Sequence, residues 1–202
     1  MKLIEIKHRN TGEVLFSREA VNNTLLKTLR IAIILKHDIR HADLSNADLS
    51  HGFFEKTDFS YCDFTNSNLS HGNFYNARFD KASMHNIIAK HGNFEDAVFH
   101  GTFLKNANFN FANLKNAISM EGYWNGSDLS NADLRGFGSR SAQLKNLTIL
   151  NAMLDETDTR IGYKAPTIEI PVCKPPCPTT CQQHCKHNNN PFKCNSFYGD
   201  KK

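Results

Sequence analysis

No apolar run in the sequence exceeds the five residues Ile31 to Leu35, far short of the ~20 that a membrane-spanning helix needs. The opening MKLIEIKHRN alternates charged and apolar residues and holds no apolar stretch of the kind a secretion signal carries. The expectation is therefore a cytoplasmic chain in a reducing compartment, with no membrane partner. Phosphate loops, GxGxxG turns, GxSxG elbows and HExxH helices are all missing, which removes the usual nucleotide, serine-hydrolase and zinc-protease signatures. Charge of one sign is missing too, since 24 basic and 20 acidic residues leave a net charge of +4. Without a basic cluster interleaved with aromatics, direct nucleic-acid binding is not expected.

Two residue types are abundant instead, with 15 Phe and 23 Asn among 202 residues. Asn disfavours helix interiors and regular strands but suits turns, so the fold must turn often. From His37 to Leu154 the chain repeats every five residues, as in HADLSNADLS, YCDFTNSNLS and NANFNFANLK. Ile39 to Leu154 gives 24 centres, all apolar except Ser119 and Ser139, and the residue two before each centre is Ala, Gly, Ser, Thr or Cys in 20 cases. A helix returns apolar residues every 3.6 positions and a strand every second one, so a strict five fits neither. It fits a very short strand with residues i−2 and i inward, followed by a tight turn. The exceptions at i−2 are His37, Ile87, Phe137 and Leu147, and two of them are matched by small centres: Ile87 precedes Ala89 and Phe137 precedes Ser139. Large set against small is what one close-packed interior requires.

This register closely resembles the pentapeptide-repeat family, whose pattern is A(D/N)LXX. The resemblance implies an all-β solenoid, a right-handed quadrilateral β-helix with four repeats per coil and about six coils in all. Recurrence at twenty residues agrees: His51-Gly52, His71-Gly72 and His91-Gly92 share that spacing, as do Asn46, Asn66, Asn86 and Asn106. Phe54, Phe74 and Phe94 should then form one column and Phe59, Phe79 and Phe99 another. Such an interior is full and leaves no room for a substrate. The many His, Ser and Asp side chains would lie on a flat exterior from which water is not excluded, so the expectation is no enzyme and no cofactor for the repeats.

Three segments follow: residues 1–36, 37–154 and 155–202. KLIEIKHR and EVLFS read as strands joined through Asn10-Thr11-Gly12, and residues 19–36 carry Leu25, Leu26, Leu29, Ile33 and Ile34 at helical spacing. This hairpin and helix are expected to cap the open first coil. The last segment is irregular and rich in Cys, Pro and Asn. Its Cys177, Cys181, Cys185, His187 and Cys194 form a candidate zinc set, with disulfides and plain disorder as the alternatives; Cys173 is left out because it follows the strand-like residues 167–172. Cys62 sits at an inward site and reads as a small core residue.

Among outward positions, His51, His71 and His91 form a row at one corner, a flat arrangement that reads as tolerated surface rather than a metal site. Val98, Ile118 and Met120 fall on one face and Phe103 and Tyr123 on the next, an apolar cluster that a solvated β-helix does not need. The candidate role is an interface with a protein partner or a second copy of the chain, the alternative being cover by the protein's own tail. The family resemblance adds another function, since some of its members are acidic, imitate DNA and bind DNA gyrase, a type II topoisomerase. Here Asp38, Asp43, Asp48, Asp58 and Asp63 make only the early repeats acidic, and residues 37–154 carry 10 basic and 12 acidic groups. A protein-binding scaffold of bacterial or bacteriophage origin is the leading reading and the DNA mimic the second.

Overall fold

The computed structural model describes residues 1–155. β1 (Lys2–Lys7) and β2 (Val14–Ala20) form an antiparallel hairpin, and α1 (Leu25–Ile34) follows. The pairing runs from Lys2 with Ala20 to Ile6 with Phe16, and an irregularity between Ile6 and Lys7 sets Lys7 opposite Val14. Gly12, at φ +71°, takes the left-handed position in the connecting turn. The element boundaries differ from the sequence expectation, and β2 runs past Ser17 to Ala20. β1 stops at Lys7 because His8 closes the turn, its amide donating to the Glu13 carbonyl (2.8 Å), and also bridges Ala42, while the Arg9 amide donates to the His41 carbonyl (2.7 Å). The helix begins at Leu25 and not near Glu19, because Glu19 and Ala20 pair with Leu3 and Lys2. Asn22 at φ 50° then turns the chain, and Thr24 caps the helix by accepting from the Lys27 amide.

Over residues 43–153 of the repeats the chain winds as a right-handed β-helix solenoid. Each outward residue at i−1 makes a parallel bridge to the residue twenty further on, from Asp43 with Asp63 to Asp133 with Met153. The units are thinner than strands: each contributes a single bridge position. At Asn73, for example, the amide donates to the Gly52 carbonyl (2.8 Å) of the winding before, and its own carbonyl accepts from Phe54 (2.7 Å). Backbone polar groups are paired between windings in this way, as a buried chain requires.

Two residues past each centre the backbone turns through the left-handed region. Asn46, His51, Lys56, Phe111 and Glu121 all lie at φ between 56° and 60°. Asn, which tolerates that region well, fills many of these corners, and this is where much of the Asn excess resides. The other recurrent polar site is i−1, where Asp or Asn accepts from the amide two residues on, as Asp43 does from Ser45 (3.0 Å) and Asn113 from Lys115 (3.1 Å).

The interior is filled. Phe54, Phe74 and Phe94 stack at 5.2 and 4.8 Å, and Phe59, Phe79 and Phe99 at 5.6 and 5.1 Å, with edge-on contacts across the columns. The two polar centres have a packing reason. The Trp124 indole donates to Ser119 Oγ (2.7 Å), and buried Ser139 adjoins Phe137, whose ring meets Trp124 edge-on at 5.6 Å. Ile39, Leu29, Ala32 and Ile6 belong to one continuous core, so the hairpin and helix share the interior of the repeats. The two ends of the repeat region are less buried than the register expects. His37 is exposed against Phe16, Leu144 and Ile149 are only half-buried, and Leu154 is 42% exposed. The final winding has described neighbours on one side only.

Two substitutions test these packing rules. A methyl group added at Gly72 would stand 2.5 Å from Phe74 Cε2 and 3.0 Å from the Leu69 carbonyl. Gly72→Ala should therefore destabilise by about 1–3 kcal/mol in a denaturant melt. Glu121 holds a left-handed corner with no side-chain hydrogen bond among the described residues, so Glu121→Asn should stabilise by about 0.5–1 kcal/mol. An unchanged or lower melting temperature for Glu121→Asn would contradict the assigned corner.

Candidate protein-interaction surface

The outward cluster predicted from the sequence is assembled by the twenty-residue winding. Val98 bridges Ile118 and Phe103 bridges Tyr123, so the four residues occupy two adjoining faces of consecutive windings. The Phe103 and Tyr123 rings stack at 4.9 Å with an interplanar angle of 9°. Ile118, Met120 and Phe103 are 42%, 41% and 39% exposed, and Val98 and Tyr123 are half-buried. Gly101 stands at the corner between the faces at φ +61°, and Glu121 lies one winding on. Gly101 brings no side chain to this corner, where a methyl group would stand 3.4 Å from Lys81 Cγ of the winding before.

The border of the cluster is polar. Arg78 pairs with Asp80, and His100 Nδ1 lies 3.9 Å from Asp80 Oδ1. Asp80 Oδ1, His100 Nε2 and His85 Nδ1 are buried atoms without a hydrogen-bond partner, and the His85 ring lies 6.1 Å from that of Phe103. Native proteins leave few such atoms unpaired. Sequence reasoning did not single these three out, because nothing in their spacing distinguishes them from other outward residues. It also passed over Phe53, Ile88 and Phe111, which are exposed on other faces. Phe111 continues the histidine row by stacking on His91 at 5.1 Å.

The histidines themselves stack face to face, His51 on His71 and His71 on His91, each at 4.9 Å. Parallel rings direct their ring nitrogens side by side, not toward a common point, which is the wrong arrangement for chelation. Among the described residues no group of three or more His, Cys, Asp or Glu converges on one point. The candidate zinc ligands Cys177, Cys181, Cys185, His187 and Cys194 lie outside the described residues. Cys62 is buried and its thiol donates to the Ile39 carbonyl (3.2 Å); burial pushes its pKa up to about 12, so it is an inert core group.

The early acidic residues are held by local bonds. Arg40 hydrogen-bonds Asp38 and, against a smaller opposing effect of burial, holds its carboxyl down at about 2. Hydrogen bonding from Ser50 lowers that of Asp48. Arg9 donates to the Tyr61 and Cys62 carbonyls and lies 3.8 Å from Asp63, which ties the hairpin to the repeats. No described helix is long and apolar enough to cross a membrane.

A family model for pentapeptide repeats matches the chain in eight copies, over residues 38–74, 57–88 and 92–118. No curated protein matches the chain. Several solved structures do. A pentapeptide repeat protein, Rfr23, from the cyanobacterium Cyanothece 51142 is 18% identical, with 64% of this chain and 95% of that one covered and a TM-score of 0.48. HetL of Nostoc sp. strain PCC 7120, involved in heterocyst differentiation regulation, is 19% identical over 55% and 61% of the two chains, with a TM-score of 0.24. QnrB1, a plasmid-mediated fluoroquinolone resistance protein, is 19% identical over 56% and 77%, with a TM-score of 0.29.

Proposed function

The chain belongs to the pentapeptide-repeat family, and on that premise we propose that it works without catalysis, as a rigid module that binds another protein. In this reading residues 37–154 form a quadrilateral β-helix of six coils, and the hairpin and helix of residues 1–36 cap its first coil. The cytosol of a bacterium or its phage is the proposed setting. The filled interior supports the absence of catalysis, since stacked Phe rings occupy the space in which a substrate would bind.

The observation that carries the proposal is the apolar cluster of Val98, Phe103, Ile118, Met120 and Tyr123. It gathers five apolar side chains on two adjoining faces of consecutive windings, whereas Phe53, Ile88 and Phe111 are exposed on other faces. Contiguous exposed apolar surface of this kind marks an interface. Changing Ile118 and Met120 together to Lys should abolish self-association or partner binding while leaving the fold intact, because both side chains point away from the core. Light scattering and a thermal melt on the same sample read both halves. A fall in melting temperature with unchanged association would instead mean that the chain's own tail covers the cluster.

The DNA-mimic reading rests on the early carboxylates, and their geometry gives it less support. Asp43, Asp48, Asp58 and Asp63 each accept from a backbone amide two residues on. Asn68, Asn73 and Asn93 do the same without charge, so the turn accounts for these acids by itself. A gyrase supercoiling assay separates the readings: the scaffold proposal expects no inhibition and no protection from a quinolone at micromolar protein.

A further inference from the structure

A second surface, distant in sequence from the apolar cluster, lies between β2 and α1. The helix sequence LLKTLRIAII contains no acidic residue. Positions 27, 30, 31 and 34 fall on one helical face, which places Lys27 and Arg30 beside Ile31 and Ile34. Strand alternation supplies the opposite wall. Arg18 shares the helix side of the hairpin with Phe16, whereas Ser17 and Glu19 project from the other side. Arg18, Lys27, Arg30, Ile31 and Ile34 together line an open groove of about 290 Å³. Three cations and two isoleucines thus surround it, with no carboxylate in the lining.

None of the three cations belongs to a salt bridge among the described residues. Each is nonetheless held in place. Arg18 donates to Asn23 Oδ1 (3.0 Å), Lys27 Nζ donates to the Asn22 carbonyl (3.0 Å), and the Arg30 guanidinium lies 5.4 Å from the centre of the Phe53 ring. A guanidinium that rests its face on a ring keeps its in-plane N–H groups for a bidentate carboxylate. Ile34, in the lining, is 66% exposed, although its neighbours Leu29 and Ala32 on the other side of the helix are fully buried.

We propose that this groove binds an acidic segment of a partner protein, which inserts one large apolar side chain between Ile31 and Ile34 and places carboxylates on Arg18, Lys27 and Arg30. Complementarity selects the occupant. Ordered cations without counter-charges call for an anion, and the two isoleucines beside them call for an apolar anchor flanked by acids. A lipid surface fits less well, since Ile31 and Ile34 are the two apolar residues of the lining, and a helix that lies in a membrane interface needs a full apolar face. The site stands apart from the cluster on the repeats, so it survives or fails independently of that interface.

The test uses the full chain, ¹⁵N-labelled, and a fluorescent synthetic decapeptide of Asp and Glu with one central Phe. Amide shifts should concentrate at Arg18, Lys27, Arg30, Ile31 and Ile34. Anisotropy should show at least tenfold weaker binding for Lys27→Glu with Arg30→Glu, and likewise for a peptide with Ser in place of Phe. Both substituted side chains are exposed, and circular dichroism checks their folding. Ile34→Ser provides an independent variant with the charges intact and should also weaken binding severalfold. Equal binding of a Lys-for-acid peptide, shifts located elsewhere, or wild-type affinity in these variants would overturn the proposal. So would sedimentation with phosphatidylglycerol vesicles in the absence of any peptide binding.

Discussion

Everything in the repeat region follows from one backbone constraint, the left-handed corner taken by every fifth residue. An L-residue in that conformation is strained by roughly 1–2 kcal/mol relative to the right-handed one. Lys56, Tyr61, Phe111 and Glu121 accept the strain, because the corner amide pairs with the winding above, as Tyr61 does with the Asp80 carbonyl (2.8 Å). With the corners fixed, residues i−2 and i have only one direction to point. The small-then-large alternation of the sequence is the consequence of these corners, and the Asp or Asn at i−1 secures each approach to one.

Stacking turns this local rule into long-range order. Because the winding repeats at twenty residues, any side chain meets its own kind if the sequence allows it: Phe on Phe inside, His on His and Asn on Asn outside. The same geometry gathered Val98 with Ile118 and Phe103 with Tyr123, residues that are far apart along the chain yet adjacent on the surface. A contiguous patch therefore needs only two apolar choices per column. The groove at β2 and α1 arises differently, from strand alternation meeting helical periodicity.

The inward register was legible because only two classes of residue fit there, and its exceptions were legible in pairs, as with Ile87 and Ala89. The hydrogen bond from Trp124 to Ser119 was not, since the sequence marks Ser119 only as a break in the pattern. Corner residues were equally obscure. The excess of Asn announced frequent turns, but Lys, Phe and Glu occupy the same conformation, so residue type does not identify the position. The helix start was misplaced because Glu19 and Ala20 are compatible with either state until their pairing with β1 is known. Outward residues answer to no packing rule, which is why Asp80, His85 and His100 carried no signal, whereas the apolar cluster stood out by violating polarity.

The twenty-residue period also sets the unit in which this chain can change length during descent. Loss of residues 61–80 would join Ser60 to Lys81 and leave each later residue above a member of its former column. Loss of five would keep the interior apolar but carry every face onto its neighbour, so that His91 would lie over Asn66 and the histidine row would be severed. Loss of one or two would turn the inward residues out. Three classes of deletion thus differ in consequence: silent, surface-scrambling and ruinous. A lineage free to vary its partners without endangering its core would be expected to explore the middle class.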